Sequence, residues 1–427
     1  MKVLAISYYA PPQLTPQSIQ IGRQLYHLDA SVHLLHGLDA QCAQGFDQYP
    51  DFYQRIISLA VPNPGPPLSG MLHRAALRAV PLYGACPDLL GPWRRHALAR
   101  AMRELDVLRP EVLASFGMPM SAHLLALAIR RRAAVPWLAH FSDPWADNPF
   151  HDTSRLEHQV NLMLERRVIA EADQLLFTSQ RTLELVMRKY PASWRSRAAV
   201  LPHAWDMACC AGPAPAPSAT VANKRFVIRH IGACYGARSP LPLFAALGRI
   251  LERSPQALDD VVFEFVGHVS PVFLDTPQFR ALPPNLVHLR GQLGYAQSQH
   301  LARTAAALLV IDAPSDKESV FLPSKLVEYI GARRPVWGIT PPGTSADLIA
   351  EWAGGTQACA APNDLDAVVR MLQAGLAALD GPGVWSGPEE LVRRFAPDRV
   401  SGTLRQHLRT AISRCHAMPG ALARAGP

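Results

Sequence analysis

Two short stretches of this sequence hold residues whose types and spacing could do chemistry. In Pro323-Ser324-Lys325-Leu326-Val327-Glu328-Tyr329, a proline with fixed φ and no N–H donor opens an apolar-periodic segment. The pattern predicts a helix to about Gly331, with Arg333 and Arg334 near its negative end and Pro335 closing it. A buried strand over 336–340 follows. Lys325 and Glu328 are three apart and share one helix face near the N-terminus. Free backbone N–H groups, a cation and a carboxylate at a helix start suit a nucleoside diphosphate, with phosphate on the amides and Lys325 and ribose hydroxyls on Glu328. The same two residues also fit an exposed ion pair worth a few tenths of a kcal/mol. The second stretch is Ser142-Asp143-Pro144-Trp145. A strand over 136–141 delivers Asp143 to its carboxyl end, where ligands bind in open α/β sheets. A carboxylate there can accept the proton of a reacting hydroxyl, with His140 as the alternative. Capping of the following turn is the competing reading of Asp143.

The elements that must position these groups form two arrays. Residues 2–9 read as a buried first strand, 10–16 as a proline-rich loop, 18–28 as a helix and 31–38 as the second strand. This βαβ unit places a ligand near the loop after the first strand. A strand over 112–115 leads into the tight loop Phe116-Gly117-Met118-Pro119, and Ser121 can cap a helix over 122–132. His123, in that first turn, faces the same carboxyl edge of the sheet and is either a ligand contact or a capping histidine. A helix over 157–171 and strands over 174–178 and 199–202 complete the first array. Residues 207–222 are rich in Ala, Pro, Gly and Ser and mark a linker. The pattern then restarts, with strands over 225–231, 261–267, 287–289 and 308–312 and helices over 241–253 and 301–307. The expected division is a domain over 1–206, a linker over 207–224, a domain over 225–385, terminal helices over 386–415 returning to the first domain, and a tail over 416–427.

Composition narrows the classes. The chain has 427 residues, long enough for two cores, with 49% hydrophobic and 18% charged residues and a net charge of +8. Only five of the 42 basic residues are lysines (Lys2, Lys189, Lys224, Lys317 and Lys325). A positive balance of this kind serves a phosphorylated substrate or an anionic membrane surface as readily as nucleic acid, and no basic-aromatic motif supports the last. The seven cysteines lack metal-type spacing, which with the absence of a charged-then-apolar leader or an 18-residue apolar run predicts a cytoplasmic protein. The one Asp-x-Asp triplet, Asp364-Leu365-Asp366, is better placed to cap a helix than to hold a metal. No Gly-x-Gly-x-x-Gly follows a strand, which disfavours a nicotinamide dehydrogenase.

The motif Pro-Ser-Lys-Leu-x-Glu-Tyr-x-x-x-x-Arg-Pro resembles the donor-site helix of GT-B glycosyltransferases, in particular the large retaining family called GT4. Tyr8-Tyr9-Ala10-Pro11-Pro12 resembles the opening motif of that group, and Ser142-Asp143-Pro144-Trp145 resembles its Asp-Pro-Trp motif. The resemblance implies two Rossmann-like doubly wound domains facing across a cleft, with helices crossing back to the first. It implies transfer of a sugar from a nucleoside diphosphate donor to a glycan or lipid-linked acceptor, with retention and without metal or cofactor, in surface polysaccharide or glycoconjugate synthesis. Separately, the positive, partly apolar stretch over 71–80 fits either peripheral contact with the inner membrane or a solvated helix that covers the core. In the residues that match, Gly232, Arg238, Ser324 and Lys325 hold the diphosphate, and Glu328 the ribose. Gly267 and Arg290 receive the base. Asp143, or His140, acts on the acceptor, with His123 and Pro12 on the acceptor side. Three positions depart from the family pattern. Ala233 replaces one cation, the loop 13–18 has no glycine, and the sugar-contacting carboxylate falls on Val320, with Glu318 two residues away. A non-catalytic binding protein of the same fold is the main alternative, and a sugar-nucleotide epimerase the next.

Overall fold

The structure is a computed structural model that describes residues 1–38, 49–65, 70–79, 87–150, 153–206, 226–380 and 387–417. It divides into two compact units, one of residues 1–202 with 397–427 and the other of residues 203–396.

The first unit is built on a seven-stranded parallel sheet. Its strands are β1 (Lys2–Ile6), β2 (Ser31–Leu38), β3 (Ile57–Pro62), β4 (Val112–Gly117), β5 (Trp137–Phe141), β6 (Gln174–Phe177) and β7 (Ala198–Val200), in the order β3-β2-β1-β4-β5-β6-β7. Apolar runs such as Val-Leu-Ala-Ser-Phe-Gly in β4 and Trp-Leu-Ala-His-Phe in β5 are buried throughout, as a parallel sheet covered on both faces requires. Strand order reverses between β1 and β4, and Ile6 lies level with Ser115. The loops after β1, β4 and β5 therefore share one edge. Thr15 caps the helix Pro16–Tyr26 by accepting from the Ser18 amide. The helix Ser121–Ala133 departs from expectation, because Ser121 does not cap it. Asp88 accepts from the Ser121 amide at 2.9 Å and from its hydroxyl at 2.5 Å, a cap supplied from 33 residues away.

The second unit has a six-stranded parallel sheet. Its strands are β8 (Phe226–Ile231), β9 (Val261–Val266), β10 (Val287–Gly291), β11 (Ala307–Ile311), β12 (Val336–Ile339) and β13 (Cys359–Ala360), ordered β10-β9-β8-β11-β12-β13. The reversal lies between β8 and β11. These two strands pair only at Ala307↔Ile228 and Leu308↔Arg229, and beyond that the His230 ring takes up the Leu309 carbonyl through Nδ1 at 2.9 Å. The helix expected over 301–307 instead runs Tyr295–Arg303. Gly294 provides its extended N-cap, and Ala305 and Ala306, read as helical from their propensity, lead into β11.

The segment expected as a pair of returning helices divides in two. Glu389–Arg394 belongs to the second unit, where the Val392 and Phe395 carbonyls hold Trp205 through its ring N–H and its amide. Pro397–Ala417 belongs to the first, where Ser401 donates to the Gln24 carbonyl and Arg414 to Gln174. The linker expected over 207–224 and the end of the tail lie outside the described residues.

Candidate functional site

In the second unit the reversal point carries the polar groups. Gly232 follows β8, and its amide donates to the Val266 carbonyl at 2.7 Å, which brings Gly232 beside Gly267 at the end of β9. A Cβ on Gly232 would stand 1.7 Å from the Lys325 ammonium nitrogen. Glycine is thus what lets that ammonium lie over the backbone at the mouth of the sheet. Lys325 is in the first turn of the helix Ser324–Gly331, with Pro323 in the N-cap position. Burial lowers the pKa of Lys325, and neighbouring Arg238 lowers it further, against the opposing pull of Glu328. Arg238 is placed by a turn in which its amide donates to the Tyr235 carbonyl. The Arg238 Nε is buried without a hydrogen-bond partner. Neither cation is paired with a carboxylate within salt-bridge reach among the described residues. Two adjacent cations desolvated without an anion are costly, and a bound dianion would remove the cost.

Glu328 is fixed from the helix Tyr295–Arg303. Gln299 donates to its Oε2 at 2.7 Å, and the Tyr295 hydroxyl lies 3.4 Å from its Oε1. His230 is buried and neutral, its pKa pushed down to about 3 by burial and then by Lys325, and its Nε2 has no partner. Arg290, expected near the base, donates to buried Glu264 at 2.7 Å, and Arg229 donates to the same carboxylate at 2.6 Å. Of the two positions expected at the donor sugar, the Val320 side chain is buried and its carbonyl accepts from the Thr344 hydroxyl, while Glu318 is exposed.

In the first unit the reversal point is poor in charge. Asp143 follows β5, is half-buried, and has its pKa pushed up to about 6 by burial. The loop that carries it is stitched on several sides. The Ser142 amide donates to the Gly117 carbonyl, the Ser142 hydroxyl to Gln17 at 2.7 Å, and the Thr178 hydroxyl to the Ser142 carbonyl at 2.8 Å. Further along, Glu165 accepts from the Ala146 amide, Lys189 and Tyr190. The Gln17 amide nitrogen reaches the Gly117 carbonyl at 3.3 Å, so a side chain from the glycine-free stretch 13–18 after β1 ties to the ends of both β4 and β5.

His123 is fully buried in the first turn of its helix. Trp137 donates to the Ser115 hydroxyl at 2.8 Å, and Ser115 lies 2.8 Å from His123 Nδ1. The Ser115 hydrogen is then left for Nδ1, which puts the imidazole proton on Nε2. That Nε2 is buried without a partner beside Gly117, at 2.6 Å from where a Cβ would be. Burial pushes the pKa of His123 down to about 3, helped by His140, and that of His140 down to about 4. The Leu201 backbone opposes the shift of His140, yet no well-formed hydrogen bond reaches either of its ring nitrogens. Pro12 is an exposed loop residue. The structure therefore gathers Gly232, Gly267, Arg238 and Lys325 in one unit, with Glu328 three residues further along the Lys325 helix, and Asp143 and His123 at the reversal edge of the other. Sequence reading missed Gln17, Gln299 and His230, whose partners lie 29 to 125 residues away. No group of His, Cys, Asp and Glu able to hold a metal occurs among the described residues, and Asp364 caps its helix by accepting from Ala367.

Two doubly wound parallel sheets joined in this order define the GT-B fold, and solved structures agree over the full length. The chain is similar to Anabaena HepE in complex with UDP and glucose (14% identity, 99% of each chain covered, TM-score 0.57). It is similar to sucrose-phosphate synthase from Thermosynechococcus elongatus (14%, 99% and 100%, 0.60) and to a UDP-N-acetylglucosamine 2-epimerase (13%, 95% and 94%, 0.53). No curated protein matches. Residues 33–204 match the model of the glycosyl transferase 4-like domain. The resemblance read from the motifs is thus borne out in the first unit's domain and in the GT-B fold of the whole.

Proposed function

We propose that the chain transfers a sugar from a nucleoside diphosphate donor to an acceptor hydroxyl, with retention and without metal. The observation that carries this reading is the unpaired Lys325–Arg238 couple over Gly232 at the reversal point of the second sheet. These cations and the free amides of the Ser324–Gly331 helix take the diphosphate, Glu328 accepts from the ribose hydroxyls, and the base lies toward Gly267. In the reaction the bond between the sugar's anomeric carbon and the β-phosphate oxygen breaks and the bond to the acceptor oxygen forms on the same face. The departing diphosphate keeps its electron pair, and its charge falls on Lys325 and Arg238. The acceptor's proton goes to Asp143, whose pKa of about 6 suits a base working near neutrality. His123 offers Nε2–H to a ligand hydroxyl. We further propose a lipid-linked acceptor in surface glycoconjugate synthesis, met at the inner membrane by the helix Gly70–Ala79, where Met71 and Leu72 are 79% and 68% exposed beside Arg74.

The HepE, sucrose-phosphate synthase and epimerase likenesses rest on one fold, so chemistry must separate them. The test is incubation with radiolabelled UDP-, GDP- and TDP-sugars and membrane lipid extract. Label moved into lipid, lost in Lys325→Met and Asp143→Asn, supports transfer. An epimerised donor, or nucleotide binding with no turnover in any combination, overturns it.

A further inference from the structure

We infer that Gln299 is a positioning residue that fixes Glu328 for the ribose and so gives the site its preference for ribonucleotides. The inference rests on the nucleotide-binding reading above. Gln299 is 3% exposed and sits in the middle of the helix Tyr295–Arg303. Its amide nitrogen donates to Glu328 Oε2 at 2.7 Å, and its amide oxygen is buried with no partner. The orientation is forced, because turning the amide over would set two acceptors against each other. Leaving a buried acceptor unsatisfied in order to keep one hydrogen bond to a carboxylate is the opposite of what a core position favours, where an apolar side chain of the same volume would carry no such penalty.

The geometry explains what the bond achieves. Gln299 on Oε2 and the Tyr295 hydroxyl near Oε1 orient the carboxylate from one helix, and a carboxylate oxygen can accept from more than one donor. The helix that carries Gln299 begins four residues after the end of β10, and the Gly291 carbonyl at that end accepts from the Gly267 amide, beside the position proposed for the base. One short helix thus connects the base side of the site to the ribose side.

The test compares affinities, measured by calorimetry, for UDP and GDP and for their 2′,3′-dideoxy forms. Wild type should bind at least one ribonucleotide about tenfold or more tighter than its dideoxy form, as a hydrogen bond to a charged group allows. In Gln299→Met the ribonucleotide should weaken by about tenfold while the dideoxy form is unchanged, which brings the ratio near one. A role in packing alone would lower the melting temperature and leave the ratio intact. Gln299→Glu guards against a misfolded Met variant. It sets two carboxylates together, so the ribose preference should be recovered at acid pH, where one is protonated and can donate, and lost as pH rises. If Glu328→Ala collapses the ratio and neither Gln299 variant does, this inference fails and the nucleotide reading stands. If Glu328→Ala leaves the ratio unchanged, or wild type binds no nucleotide, both fail together.

Discussion

At the reversal edge of the first sheet two histidines are neutral and a carboxyl has its pKa raised to about 6, whereas at that of the second two cations lie near one another without a carboxylate in salt-bridge reach among the described residues. His123, His140 and Asp143 are all shifted by burial toward their uncharged forms. Lys325 is lowered first by burial and then by Arg238, with Glu328 pulling the other way but not within salt-bridge reach. The difference teaches what each fold edge is suited to. A desolvated carboxyl with pKa near 6 and an imidazole with a proton on a fixed nitrogen move and hold protons. Unpaired cations over a glycine hold a charged ligand. Parallel sheets of the same class thus present different chemistry because different side chains were placed at equivalent strand ends.

The contrast can be broken most sharply at Asp143. Asp143→Asn should lower kcat by about 10²–10⁴-fold while nucleotide affinity stays within twofold. The same variant should be more stable than wild type at pH 7.5. The folded pKa of Asp143 is raised, so its contribution to stability is complete below its ordinary value of 3.8 and is lost as pH rises through about 6. A weakened nucleotide affinity or a lowered melting temperature at pH 7.5 would mean that its role is structural.

Acid should act next, and in the opposite sense. The imidazoles of His123, His140 and His230 have folded pKa values of about 3, 4 and 3 against an ordinary 6.5. Their neutral forms are favoured by folding, so the stability is present above pH 6.5 and is lost as pH falls toward 4. At pH 4 each accounts for about 3 kcal/mol at most. His140→Leu should flatten the pH dependence of urea unfolding of the first unit between pH 6.5 and 4, and an unchanged slope would refute the buried neutral state.

In the second unit, Arg238→Met or Lys325→Met should weaken nucleoside diphosphate binding by about 1.5–3 kcal/mol, reduce its salt dependence, and raise or leave unchanged the stability of the empty protein. Loss of stability instead would show that an internal partner had satisfied the cation. Gly232→Ala sharpens the comparison without changing charge. Its Cβ would displace the Lys325 ammonium and strain a backbone held at φ +156°, so binding should fall by about 1 kcal/mol or more and the melting temperature should fall with it. The smallest effect belongs to scaffold. Ser154→Ala removes one half of the capping box with Glu157 and should cost the first unit about 1 kcal/mol, with activity per folded molecule intact.

The sequence by itself determined the two α/β arrays and the strand ends on which Asp143, Gly232 and the Lys325 helix sit. Those features are local, because apolar runs of strand length, a proline at a helix start and a glycine after a strand act on neighbours within a few residues. It also placed Asp143 after β5 and set Lys325 and Glu328 on one helix face, which three-residue spacing requires. Only the tertiary structure decided which of these groups are charged, paired or free. Whether Lys325 pairs with Glu328 depended on Gln299, 29 residues away, which holds the carboxylate. The fate of Arg290 depended on Glu264, and the cap of the Ser121 helix on Asp88, 33 residues upstream. The assignment of one terminal helix to each unit turned on packing partners such as Gln24 and Trp205. Hydrogen-bond satisfaction and desolvation are properties of the folded surroundings, and no spacing along the chain encodes them.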